Sequence, residues 1–218
     1  MLDERYRDSR PHDAVWPDAG WPPPGGPWRG TWVELTPAVA ADSAELFAAT
    51  DHDEVWRHTF GRPVDADGWV AVVNAAPAAG RHPWTVRLRR PYAGLSPGTV
   101  VGTSSYLEIS VHDARLEIGA TAYAPAVWGG PVNPETKLLL LTVAFEELRM
   151  GRVQLKTDVR NVRSLRAIER LGATPEGVLR RYQRRSDGTV RDTALFSVVA
   201  EDWPRVRSGL RRRLAAFG

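Results

Sequence analysis

Between Arg152 and Gly177 the chain reads RVQLKTDVRNVRSLRAIERLGATPEG, and its hydrophobic period changes once, at Asn161. Before that point Val153, Leu155, Thr157 and Val159 alternate with polar neighbours, the period of a half-buried strand. After it Leu165, Ile168 and Leu171 recur every three residues, a helical spacing. Asn161 stands at the junction, where an Asn can cap the helix, Ser164 falls in the first turn, and Gly172 marks the stop. A strand that runs straight into a helix leaves free backbone N–H groups at a crevice, a place suited to a polar ligand such as a phosphate.

The 218 residues fit one domain, or one domain with a tail. Apolar content is ordinary for a globule with a proper core. No apolar run approaches the roughly 18 residues of a membrane span, and the start, MLDERYRDSRP, is too polar and acidic for a signal peptide. A cytoplasmic location without membrane contact is therefore expected. The absence of cysteine removes disulfides, thiolate metal sites and a cysteine nucleophile. His12, His52, His58, His82 and His112 are isolated, with no metal-ligand spacing, so no metal is expected. Net charge is only +3, and Lys137 and Lys156 are the only lysines among 29 basic residues. Basic clusters at Arg180–Arg185 and Arg205–Arg213 read as solvated faces. They lack the aromatic interleaving of single-strand binding, Tyr182 excepted, so nucleic acid is not expected as a partner.

Residues 1–30 are rich in Pro, Gly and Trp, a composition that favours extended geometry. With Trp16, Trp21 and Trp28 it is too hydrophobic for a free linker. It is expected to lie across the domain or a partner subunit, which leaves a homodimer open. A single domain is expected over 31–218. Trp32–Leu35 reads as a strand, and Pro37 as the start of a helix carried on by Ala38–Ala49. Short helices follow at Asp53–Thr59 and Asp65–Ala76, then strands at Trp84–Arg89, Thr99–Tyr106 and Arg115–Ala124. Pro134–Leu148 reads as a helix capped by Asn133. After the Asp187-Gly188 hairpin signal come a strand at Val190–Val199 and a closing helix at Glu201–Leu214. The order β-α-α-β-β-β-α-β-α-β-β describes an α/β domain with a mixed sheet.

Several motifs stand in a recognisable order. Glu117-Ile118-Gly119 and the stretch from Trp128 to Lys137 precede Asn161-x-x-Ser164, Leu171-Gly172 and a Glu176-Gly177 turn. The basic run Leu179–Arg185, Asp187-Gly188, Arg191-Asp192 and the strand Thr193–Val199 follow. This series resembles the RimJ/RimL-like branch of the GNAT superfamily of N-acetyltransferases, over roughly Trp32–Trp203. The resemblance implies a GNAT fold, in which two parallel strands, here Arg115–Ala124 and Arg152–Val159, splay apart within a mixed sheet flanked by helices. The arm of an acyl-CoA then takes the place of a strand between them.

The implied reaction moves an acetyl group from acetyl-CoA directly to a primary amine. That amine is a protein N-terminus, a lysine or a small molecule. Glu117, where the splay would begin, is the candidate base; the alternative is a structural carboxylate paired with an arginine such as Arg87 or Arg89. Ser164 is the candidate proton donor, because the tyrosine many GNAT enzymes carry is Ile168 here; the alternative is a helix-start role beside Asn161. Asn161 would hold the acyl-CoA arm, cap the helix, or do both. The resemblance also places Thr121, Tyr123 and Trp128 at the donor. The usual glycine-rich phosphate loop is absent, and Gly129-Gly130 with Asn133 and Lys137 stands in its place, with Arg163 and Arg166 as further phosphate partners. Trp56, Trp69, Trp84 and Tyr106 fall in the half that shapes the acceptor pocket, and each reads more readily as core than as ligand-facing, given the area aromatics bury; Trp56, Trp84 and Tyr106 are the substrate-binding candidates. Two other readings stand beside this one. One is transfer of another acyl group such as succinyl, which needs a cation beside the acyl pocket. The other is a non-catalytic acyl-CoA-binding module.

Overall fold

The computed structural model describes residues 15–218. Its elements in chain order are β1 (Trp28–Arg29), β2 (Val33–Pro37), α1 (Ser43–Thr50), α2 (Asp53–Trp56), α3 (Ala66–Ala75), β3 (His82–Leu88), β4 (Val100–Ser110), β5 (Arg115–Tyr123), α4 (Val132–Thr142), β6 (Arg152–Asp158), α5 (Val162–Glu169), β7 (Thr174–Arg184), β8 (Val190–Val199) and α6 (Trp203–Ala215). The strands form one sheet in the order β1-β2-β3-β4-β5-β6-β8-β7. Every neighbouring pair is antiparallel except β5–β6, which is parallel. The domain is thus α/β with a mixed sheet and helices on both faces. The larger core lies under α4 and α6, where Leu140, Leu141 and Ala144 pack with Val206 and Leu210 over Leu116, Ile118 and Val153. A smaller core joins Leu46 and Ala49 of α1, Trp69 and Val73 of α3, and Val100 and Ala124 on the other side.

Local signals place most elements well. Asp65 caps α3, accepting the Gly68 N–H at 2.7 Å, and Gly172 ends the α5 region with φ +89°. Pro37 departs from expectation: it closes β2 opposite Trp84, and α1 starts only at Ser43. The delay comes from Asp42, whose carboxylate accepts the Val39 N–H at 3.2 Å, the Thr85 hydroxyl at 2.6 Å and Arg87 at 2.6 Å. A short 3-10 turn therefore precedes the helix. The Glu176-Gly177 pair is not a turn. It lies inside β7 at a register shift, with Glu176 paired to Arg152 and accepting the Ser197 hydroxyl at 2.7 Å. Helix α4 begins at Val132, so Asn133 sits inside its first turn rather than capping it.

The described part of the N-terminal segment runs along the sheet; its first 14 residues, His12 included, lie outside the described residues. Trp21 meets His82 edge-on at 4.6 Å between ring centres, and Trp28 lies tilted against Trp84 at 3.7 Å. The turn from β1 to β2 is held from a distance by Glu135 of α4. Its buried carboxylate accepts the N–H groups of Thr31, Trp32 and Val33 at 2.8, 2.6 and 2.7 Å. A Cβ on Gly30 would overlap this carboxylate. Gly30→Ala is therefore expected to cost about 1–3 kcal/mol by overpacking. Gly20→Ala, which meets nothing within 4 Å, is the control. Urea denaturation of both variants checks this, and equal midpoints would refute it.

Candidate functional site

Strands β5 and β6 share only three rungs, Arg115↔Arg152, Leu116↔Val153 and Glu117↔Gln154. Each strand then follows its other neighbour. β6 stays paired with β8 through Asp158↔Thr193. β5 stays with β4, but the register shifts between Thr103 and Ser105, and Ala120 takes φ +45°. Such a bulge bends its strand, and a non-glycine residue in this conformation marks strain of about 1–3 kcal/mol. The strands separate beyond Glu117 and open a cleft of about 490 Å³ that reaches both faces of the sheet. Its backbone edges lack the partner strand that a sheet normally supplies.

On the face under α4, Lys137 is buried and its ammonium group donates to Ser104 and Thr121, each at 2.9 Å. The two hydroxyls also bond each other at 2.8 Å. Burial pulls the Lys137 pKa down to about 7, with the charge of Glu117 opposing the shift. Lys137 therefore contacts hydroxyls of β4 and β5. Glu135 points away from the cleft, into the β1–β2 turn. Gly129 has φ +78° in the loop before α4, and Gly130 lets the Tyr92 ring approach. Trp128 donates from its indole to the Tyr123 carbonyl at 3.0 Å, and the Arg163 guanidinium lies 3.3 Å over its ring. Such a contact ties the loop to α5.

On the opposite face, Glu117 is buried and ion-paired with Lys156 at 2.8 Å. Lys156 also bonds Glu108 at 2.6 Å and the Tyr182 hydroxyl at 3.0 Å. Burial raises the Glu117 pKa, while Lys156 pulls it back. For Lys156, burial works against the charge but is outweighed by Glu108, Glu117 and Tyr182, which leave it firmly protonated. The expected arginine partners of Glu117 are engaged elsewhere: Arg87 holds Asp42, and Arg89 donates to the Gly30 carbonyl. Val55, His58, Thr59 and Phe60, from α2 and the loop after it, cover this side.

At the end of β6, Asp158 is buried and accepts two hydrogen bonds from Arg185, at 2.6 and 2.9 Å. It also accepts the Arg160 N–H at 2.8 Å, which fixes the turn into α5. Asn161 caps that helix through its amide oxygen, which accepts the Ser164 N–H at 3.1 Å. The amide nitrogen keeps two donors for a ligand. Asn161 and Ser164 both line the cleft.

The cleft brings together Glu117, Thr121, Tyr123, Trp128, Asn133, Lys137, Asn161 and Ser164. Arg166 does not line it and is exposed, whereas its neighbour Arg163 does line it. The three substrate-binding candidates lie elsewhere. Trp84 is buried under Trp28, Tyr106 is fully buried with its hydroxyl on the Leu140 carbonyl at 2.6 Å, and Trp56 donates to the Thr50 carbonyl at 2.7 Å. Trp69 packs with Trp56 in the smaller core. Sequence reasoning missed Glu108, Lys156, Asp158 and Arg191. One signal was available for Lys156: both lysines of an arginine-rich chain line the cleft. Among the described residues, no cluster of His, Asp or Glu could hold a metal ion, and no helix is long and apolar enough to cross a membrane.

Comparison with known proteins gives the following likenesses. Residues 33–174 match the family described as Acetyltransferase (GNAT) domain. A putative acetyltransferase from T. thermophilus is 37% identical, covering 89% of this chain and 100% of its own, with a TM-score of 0.78. RimJ of Mycobacterium smegmatis, solved in complex with CoA-disulfide, is 22% identical, covers 84% of this chain and 88% of its own, and shares the fold with a TM-score of 0.70. The uncharacterized N-acetyltransferase p20 of Bacillus licheniformis is 27% identical over 104 residues, which are 48% of this chain. The match spans 57% of the length of that curated relative.

Proposed function

Because the chain belongs to the GNAT acetyltransferase family, we propose that it is an acetyl-CoA-dependent N-acetyltransferase of the RimJ/RimL-like kind, acting on a primary amine. One observation carries this reading: two parallel strands part immediately after a buried carboxylate, Glu117, and the widened end meets the capped start of α5. The residues present suit a CoA thioester. The unpaired strand edges offer hydrogen bonds to an amide-bearing arm, and Asn161 keeps its amide donors for it. The donor brings an acyl group already activated as a thioester.

The chain's own groups do the rest. Glu117 takes a proton from the acceptor ammonium, directly or through a water, so that the amine can attack. Its buried position raises its basicity, and Lys156 keeps it ionised in the resting site. The nitrogen of the tetrahedral adduct loses its second proton to solvent, while the Ser164 hydroxyl gives a proton to the departing thiolate and regains one from solvent. Positioning of the two reactants in the cleft supplies much of the remaining rate. The absence of cysteine agrees with direct transfer.

Acetyl-CoA at 100 times its dissociation constant is expected to stabilise the native state by about 2.7 kcal/mol, and acetate or pantetheine much less. Thermal melts with each ligand measure this, followed by thiol release with amine mixtures. Binding without turnover would favour a non-catalytic module. No shift at millimolar acetyl-CoA would overturn the reading.

A further inference from the structure

We propose that the acceptor amine carries a carboxylate at its far end, seated on Arg191, so that the substrate is a short molecule with an amine and a carboxylate, such as an ω-amino acid or a small peptide. This rests on the acetyltransferase reading above and names the acceptor class for the same cleft. Arg191 pairs with Gln183 across β7–β8, and both side chains line the cleft. It lies two residues before Thr193, the partner of Asp158, and so shares the face of Asp158, Lys156 and Glu117. The neighbouring Asp192 accepts the Arg181 N–H at 2.7 Å, where β7 bulges with φ +52°. The Arg191-Asp192 pair thus divides its work between the cleft and the strand.

Among the described residues Arg191 has no ion-pair partner of its own. Its Nε is buried with no hydrogen-bond partner, and among the described residues no carboxylate lies within salt-bridge distance of it. The two acids whose charge reaches it, Asp158 and Glu117, are already held by Arg185 and Lys156. Beside it, Arg57, His58, Thr59, Arg185 and Ser186 line a narrow recess that contains donors and no carboxylate. Arg191 is half-buried, but a guanidinium Nε buried without a partner is costly, and the planar fork matches a carboxylate. The spacing then sets the substrate's length. Glu117 is level with Gln154 and Ser197, six residues along β8 from Arg191. That is on the order of 20 Å between Cα atoms, which two side chains reaching inward shorten. An α-amino acid is too short to place its amine at Glu117 and its carboxylate at Arg191.

The test uses acetyl-CoA with glycine, a series of ω-amino acids, and di- and tripeptides, each beside its carboxamide. Free acids of the right length are expected to show a kcat/KM at least about tenfold above their amides, expressed in KM. Glycine should be poor. Arg191→Gln should abolish the acid preference, and Arg191→Lys should keep part of it, with acetyl-CoA affinity unchanged in both as the check on folding. Equal use of acids and amides by the wild type would overturn the inference while leaving acetyl transfer intact. So would a loss in Arg191→Gln confined to succinyl-CoA as donor, which would put the carboxylate on the acyl group. Failure to bind acetyl-CoA or acetylate any amine would instead overturn the acetyltransferase reading, and this inference with it.

Discussion

Glu117→Gln is expected to lower turnover by about 10²–10⁴-fold where the acceptor amine is protonated, with acetyl-CoA affinity unchanged. The substitution keeps the shape and removes the group assigned to take the proton. Raising the pH should restore part of the rate, because free amine then forms in solution. The pH dependence of the wild type should carry an acid limb from Glu117, displaced above the ordinary carboxylate range by burial and held back by Lys156. Lys156→Met removes the ion pair at 2.8 Å, so that limb should move to higher pH. In Glu117→Gln it should vanish. Rate–pH profiles of kcat/KM for the three proteins decide the matter. A limb that stays in place in both variants would take Glu117 out of proton transfer.

The residues in this prediction differ in how readable they were. The β6–α5 junction was legible because its signals are local: a change of period, an Asn able to cap and a glycine stop. Glu117 stood in a short motif. Its partner did not, because Lys156, Glu108 and Glu117 come from three strands, and only register brings them together. The splay was known only through the family likeness, and at the bulge that bends β5 the positive φ falls on Ala120 rather than on the neighbouring Gly119. Which aromatic residues belong to the core and which to a pocket was not legible, for a related reason. Trp84 is covered by Trp28, far upstream, and Tyr106 finds its acceptor in α4; neither neighbour can be read from local pattern. The loop before α4 was half legible. Its glycines marked a tight turn, but Glu135 proved to serve the β1–β2 turn, more than a hundred residues away in sequence.

The second large effect concerns Lys137. Replacement by methionine is expected to stabilise the protein near pH 6 and to lose that advantage as the pH rises towards 10. In the folded chain burial draws its pKa from the usual 10.5 to about 7. Between these values the unfolded chain binds the proton and the native chain does not, so wild-type stability gains with rising pH across this window. Below pH 7 both states are charged, and the native state bears the whole cost of the buried ammonium. The gap corresponds to on the order of 5 kcal/mol. Removing the amine leaves little unsatisfied, because the Ser104 and Thr121 hydroxyls already bond each other at 2.8 Å. A lysine retained at such a cost, with its side chain on the cleft wall, fits a site where stability yields to ligand binding. Lys137→Met is therefore expected to be the more stable protein and the weaker binder of acetyl-CoA. Urea titrations at pH 6 and pH 9.5, with acetyl-CoA titrations at pH 7, measure both. A stability difference that does not change with pH would show that Lys137 stays protonated in the fold. Undiminished acetyl-CoA affinity would remove it from the donor site.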